Sequence, residues 1–178
     1  MNEVGFSFRP SFGGGIQVDQ VPEGFFDRIE RRLASGWLVP GTRHRANYRV
    51  IGKSREAIEF EAVDFGTAYA IGLNHVVVRQ VGRNVISYEV TFERWNRYAL
   101  IHGALLGMLL ALVYAAPQVR QRVVSYPHGP WLFWGTLAFW ALAWPWLLTA
   151  IHRPFAARAL DRILRQELSD GPIDHAAP

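Results

Sequence analysis

YALIHGALLGMLLALVYAA, from Tyr98 to Ala116, is a run of nineteen residues without a formal charge. Every fourth residue in it is small: Ala99, Gly103, Gly107, Ala111 and Ala115. At about 1.5 Å of rise per residue, a helix of this length crosses the apolar core of a bilayer. The five small residues fall near one stripe of that helix, where a second backbone can approach closely. A second uncharged stretch, WLFWGTLAFWALAWPWLLTAIH, runs from Trp131 to His152 and contains Pro145. Together they predict a transmembrane hairpin over 98–152, with spans at 98–117 and 131–152. Pro145 removes one backbone hydrogen bond from the second span and predicts a kink there. The residues between the spans, Pro117–Pro130, predict a tight polar turn.

Residues 1–97 are mixed and charged, and charge returns at Arg153. Residues 1–21 read as an extended arm. Gly13-Gly14-Gly15 lends it freedom, and the alternation of Val4, Phe6 and Phe8 fits a short edge strand. Residues 22–97 read as an α+β unit. Pro22–Leu33 predicts an amphipathic helix: Phe25, Phe26, Ile29 and Leu33 share one face, Glu23 and Asp27 sit near its start, and Gly36 follows its end. Residues 43–95 predict an antiparallel meander. Tyr48/Val50, Ile58/Phe60/Ala62 and Ile86/Tyr88/Val90/Phe92 alternate with polar neighbours, as half-buried strands do. His75–Val81 and Thr67–Leu73 are further strand candidates, and Gly82-Arg83-Asn84 is a hairpin turn. In Arg94-Trp95-Asn96-Arg97-Tyr98 aromatic rings and arginines combine as at a membrane interface. Residues 153–178 predict a second amphipathic helix, through Leu168, followed by a polar tail.

The fold class is therefore an α+β membrane protein. A small antiparallel sheet with one covering amphipathic helix leads into a two-helix transmembrane hairpin and a C-terminal amphipathic helix. Arg94, Arg97, Arg153, Arg158, Arg162 and Arg165 flank the outer ends of the spans, against Arg120 and Arg122 between them. The positive-inside rule then puts both termini in the cytoplasm.

The chain has no cysteine. That excludes disulfides, thiolate catalysis, Cys-ligated zinc and iron–sulfur clusters. The N-terminal residues lack the apolar core of a signal peptide. The net charge of +4 is mild and shows no basic stripe with interleaved aromatics, so nucleic acid is not an expected partner. His44 and His75 have no carboxylate at a metal-ligand spacing, and Glu59 and Glu61 read as a solvated strand face. Gly13-Gly14-Gly15 precedes no P-loop Lys-Ser/Thr. Nothing in these patterns points to an enzyme.

The candidate site residues lie in the spans. Ala99, Gly103, Gly107, Ala111 and Ala115, with Trp140 and Trp144, are the expected helix-packing set. Their partner is either the second span, through Gly135, Ala138 and Ala141/Leu142, or a helix of another subunit. His102 and His152 are the ionisable groups in or bordering the spans and are candidates for cofactor binding: an axial ligand to haem or chlorophyll, or a proton or quinone contact. Interfacial hydrogen bonding is the plainer role for both. The expected partners are membrane lipid and other integral-membrane subunits. The expected function is that of a non-catalytic accessory or structural subunit of a larger integral-membrane complex, an energy-transducing one (photosynthetic or respiratory), docked through its hairpin. The alternative is a membrane-anchored sensor or binding module for a small ligand.

Overall fold

The computed structural model of the chain describes residues 9–36, 45–70 and 73–169. The alternating segments form strands, and one face of each strand goes to the core. β1 (Ser11–Gln17), β2 (Tyr48–Lys53), β3 (Ala57–Ala62), β4 (His75–Val81) and β5 (Val85–Thr91) make one five-stranded antiparallel sheet in the order β1-β5-β4-β3-β2. Phe12, Ile16, Tyr48, Ile58, Phe60, Ala62, Val76, Val78, Ile86, Tyr88 and Val90 are buried on its inner face. Each apolar side chain removed from water contributes about 1.5–3 kcal/mol. The other face carries Arg49, Glu59, Glu61, His75, Arg79 and Glu89, the period-2 pattern of a sheet solvated on one side.

Two helices cover the inner face, where the sequence pattern predicted one. The first, α1 (Phe25–Ser35), buries Phe25, Phe26, Ile29 and Leu33, and Gly36 ends it in the left-handed conformation at φ 76°. The second is the C-terminal part of the last helix, whose Ala156, Ala157, Leu160, Ile163 and Leu164 join the same core. An amphipathic pattern shows that a helix packs but not on what, which is why these residues read as a separate element. The two helices are bound to each other by polar contacts. Arg28 Nη2 donates to the Glu167 carbonyl at 2.9 Å, and Arg32 donates to the Glu167 carboxylate and, at 2.8 Å, to Gln166 Oε1.

Four further expectations are corrected. Gly13-Gly14-Gly15 is not free chain but lies inside β1, paired with Glu89, Tyr88 and Ser87. A Cβ on Gly14 would strike the Tyr88 ring, so the glycine makes room for that ring to cross the edge strand. Within the strand candidate Thr67–Leu73, residues 67–70 are helical instead. Phe65–Ala70 is the helix α2, with Asp64 Oδ1 accepting the Thr67 N–H at 2.7 Å in the position of an N-cap. That bond also holds the Asp64 carboxyl below its ordinary value. Finally, β5 stops at Thr91, so Trp95 belongs to the following helix, and the predicted tight turn at 117–130 contains the nine-residue helix α4 (Pro117–Ser125). Val4, Phe6, Phe8, His44 and the tail after Ser169 lie outside the described residues.

From β5 the chain passes through the buried Phe92 directly into α3 (Glu93–Ala115). After α4 it returns through α5 (Gly129–Ala138), a π-helical turn (Phe139–Ala143) and α6 (Trp144–Ser169). Glu93–Ala115 and Gly129–Ser169 are long and apolar enough to cross a membrane. The π turn answers to Pro145. A proline ring clashes with the carbonyl four residues back, and widening the preceding turn relieves that clash. Trp144 N–H donates to the Phe139 carbonyl, five residues back. The Trp140 carbonyl then has neither of its ordinary donors: Trp144 N–H is engaged elsewhere and Pro145 has none.

Candidate functional site at the sheet–helix joint

Four side chains from three helices form a column of rings where the sheet meets the apolar helices. Phe65 and Tyr69 of α2 lie 5.7 Å apart and 5° from parallel. Tyr69 continues to Trp95 of α3 at 6.3 Å and 21°. Trp95 stacks on His152 of α6 at 4.3 Å and 13°, and Phe92 meets the His152 ring nearly edge-on at 6.0 Å. The local sequence explains the arrangement. Phe65 and Tyr69 are four apart on one helix face, and Phe92 and Trp95 are three apart across the start of α3.

Polar groups brace the column. Asn74, 4% exposed, donates from Nδ2 to the Ala68 carbonyl at 2.8 Å and accepts the Trp95 N–H on Oδ1 at 2.8 Å. It thereby satisfies an N–H that the first turn of α3 leaves without a helical partner. Arg94 Nη1 donates to the Ala62 carbonyl at 2.6 Å. The fully buried Thr149 donates its hydroxyl to Asn96 Oδ1 at 2.6 Å, with the Pro145 carbonyl at 2.9 Å as a second acceptor. These bonds tie β3, α2, α3 and α6 together at one level, so the sheet is not hinged on its helices.

The candidate packing residues divide along α3. Ala99, Gly103 and Gly107 are buried, whereas Ala111 and Ala115 are exposed. A Cβ on Gly103 would come within 2.5 Å of Pro145 Cγ and 3.1 Å of the Trp140 carbonyl oxygen. One on Gly107 would come within 2.7 Å of Ala141 Cβ. The first half of the stripe thus lies on the π turn of the same chain. Gly103 also turns a Cα–H toward the carbonyl that the turn leaves without an N–H donor, a weak but directed contact. Trp140 and Trp144 are partly buried, 4.8 Å apart, with Phe139 beside both.

The two candidate histidines do not share a centre. His152 lies in the ring column against Phe92 and Trp95, whereas His102 is exposed, about 10 Å of helix beyond Trp95. Trp95, read as an interfacial anchor, is 5% exposed and belongs to the core.

On the outer sheet face His75 Nε2 lies 2.8 Å from Glu59 Oε1, a pairing that sequence spacing does not reveal because it runs across two strands. Arg49 donates to the Glu61 carboxylate, and Arg94 lies 3.6 Å from it. The bond to Arg49 holds the Glu61 carboxyl below its ordinary value. Among the described residues no group of three or more His, Asp or Glu is placed to hold a metal. A surface groove of about 800 Å³ lies between the start of α1 and the β2–β3 turn, lined in part by Pro22, Phe25, Lys53, Arg55 and Gln80. Its Lys53 is neutralised by Asp27 and, at 2.5 Å, by Glu30. No protein-family model matches the chain, and comparison with curated proteins and with solved structures gives no match.

Proposed function

We propose that the chain is an integral membrane protein of two spans with both termini in the cytoplasm, and that it serves as a non-catalytic accessory subunit of a larger integral-membrane complex. One observation carries this reading. The apolar windows of the two long helices are only 17% and 11% buried, although both helices are rooted in the core of the sheet. A core helix of a soluble protein hides such a window, so these helices need another apolar surrounding. The exposed Ala111, Ala115, Leu112, Trp131, Leu132 and Trp134 would face lipid or neighbouring helices. The joint supports the same reading, because a sheet fixed to its helices braces the membrane surface instead of searching the cytosol.

Purification of the full chain from its native membrane in mild detergent tests this function. Co-purifying integral-membrane subunits are expected, and an absorbance band of haem or chlorophyll in the assembly would mark it as energy-transducing. A lone monomer that no cross-linker joins to another subunit would overturn the proposal. A second reading, a membrane-anchored binding module for a small ligand, is favoured by the groove beside α1. A ligand-dependent rise in the unfolding temperature of the full chain, abolished by Lys53→Ala with Arg55→Ala, would select it.

A further inference from the structure

The uncharged run of α3 begins at Tyr98, and that of α6 ends at His152. Trp95, one turn before Tyr98, stacks on His152. The boundary between charged and uncharged chain therefore falls within about one helical turn of the same height on both helices. In the two-span reading, on which this inference rests, that height is the cytoplasmic edge of the bilayer. A third element reaches the same level. The Phe65 ring of α2 lies 4.3 Å from the Tyr98 ring, and Tyr69 lies beside Trp95.

α2 turns its small residues inward and its rings outward. Thr67 and Ala68 are 5% and 1% exposed, whereas Phe65 and Tyr69 are 58% and 46% exposed. Two large rings left in contact with water cost free energy in proportion to their apolar area. The boundary of headgroups and acyl chains is the surrounding that suits them, accepting the ring bodies while the Tyr69 hydroxyl stays hydrated. The charged Arg94 of the adjoining turn is engaged by the Ala62 carbonyl and Glu61.

We propose that α2 is a third membrane contact of this chain, with Phe65 and Tyr69 set into the headgroup region of the cytoplasmic leaflet beside Tyr98. Two spans leave a rigid body free to tilt about the line between them. A third point of contact removes that freedom and sets the angle of the sheet to the membrane.

The absence of cysteine makes the test direct. The full chain carrying one of Phe65→Cys, Tyr69→Cys, Leu105→Cys or Arg55→Cys is labelled with an environment-sensitive fluorophore and reconstituted into phosphatidylcholine–phosphatidylglycerol vesicles. Nitroxide lipids, spin-labelled near the headgroup or at mid-chain, then quench by depth. Loss of fluorescence at positions 65 and 69 is expected with the headgroup-level quencher, loss at 105 with the mid-chain quencher, and none at 55. Unquenched labels at 65 and 69 beside a quenched label at 105 would overturn the third contact and leave the two-span reading standing; those rings would then face water or a protein partner. An unquenched label at 105 would overturn both.

Discussion

Gly103 and Gly135 are the same residue type in neighbouring apolar helices, and the structure separates their roles. A side chain at 103 would press into Pro145 and the Trp140 carbonyl, whereas nothing lies within 4 Å of a Cβ at 135. Gly103→Leu is therefore expected to destabilise the hairpin by about 1–3 kcal/mol, the usual cost of overpacking a filled contact. Gly135→Leu is expected to stay within about 0.5 kcal/mol, as for an open surface site. Thermal unfolding of both variants in detergent checks the pair, and equal losses would mean that the π turn is not the docking surface of Gly103. The regular spacing of small residues was visible in the sequence. That only its first half lies against the partner helix was not, because the position of the π turn depends on how Pro145 is accommodated.

At the scale of elements, α2 is the clearest departure from the pattern. FGTAYA carries no period that favours helix over strand, and the choice rests on the Asp64 cap and the burial of Ala68. Asp64→Ala is expected to cost about 1 kcal/mol of stability through loss of that cap, with Asp64→Asn close to neutral because asparagine also caps. Chemical denaturation of the full chain measures both. The carboxyls of Asp64 and Glu61 titrate lower in the folded chain than their ordinary values of 3.8 and 4.5, so the stability they add is present in full above those values. It drains away as pH falls through the lower folded values. An acid titration should accordingly show the transition of the Asp64→Asn, Glu61→Gln double variant moving less between neutral pH and pH 3 than that of the parent chain. A parallel loss in the two chains would refute the assignment. The strands, in contrast, were legible: the faces of Tyr48/Val50, Ile58/Phe60/Ala62 and Ile86/Tyr88/Val90 follow from alternation alone.

For the whole molecule, the discontinuous core decides how the chain can be divided. Ala156, Leu160, Ile163 and Leu164 are each 1% exposed and pack against the sheet from the far side of the hairpin in sequence. A fragment of residues 1–95 lacks them and is expected not to fold. The same fragment joined through a short linker to residues 153–169 should regain cooperative unfolding by circular dichroism. Folding of 1–95 alone would contradict this core. Glu167, 7% exposed, receives Arg28 and Arg32 from α1, and Glu167→Ala removes the carboxylate that both largely buried guanidinium groups reach. The loss is expected near 3 kcal/mol, typical of a broken buried pair, and is read by denaturant unfolding.

The local and periodic features are written in the residue order: the strand faces, the amphipathic stripe of α1, the two uncharged stretches and the arginines that flank them. Each follows from hydrophobic period and charge within a short window. Which surfaces meet emerges only from packing. It set the second helix on the sheet, laid the glycines of α3 against the π turn, paired His75 with Glu59 across two strands and stacked Phe65, Tyr69, Trp95 and His152 at one level. Those contacts join residues up to 139 positions apart, as between Arg28 and Glu167. No local period encodes such pairs, because their geometry is fixed only when the elements pack together.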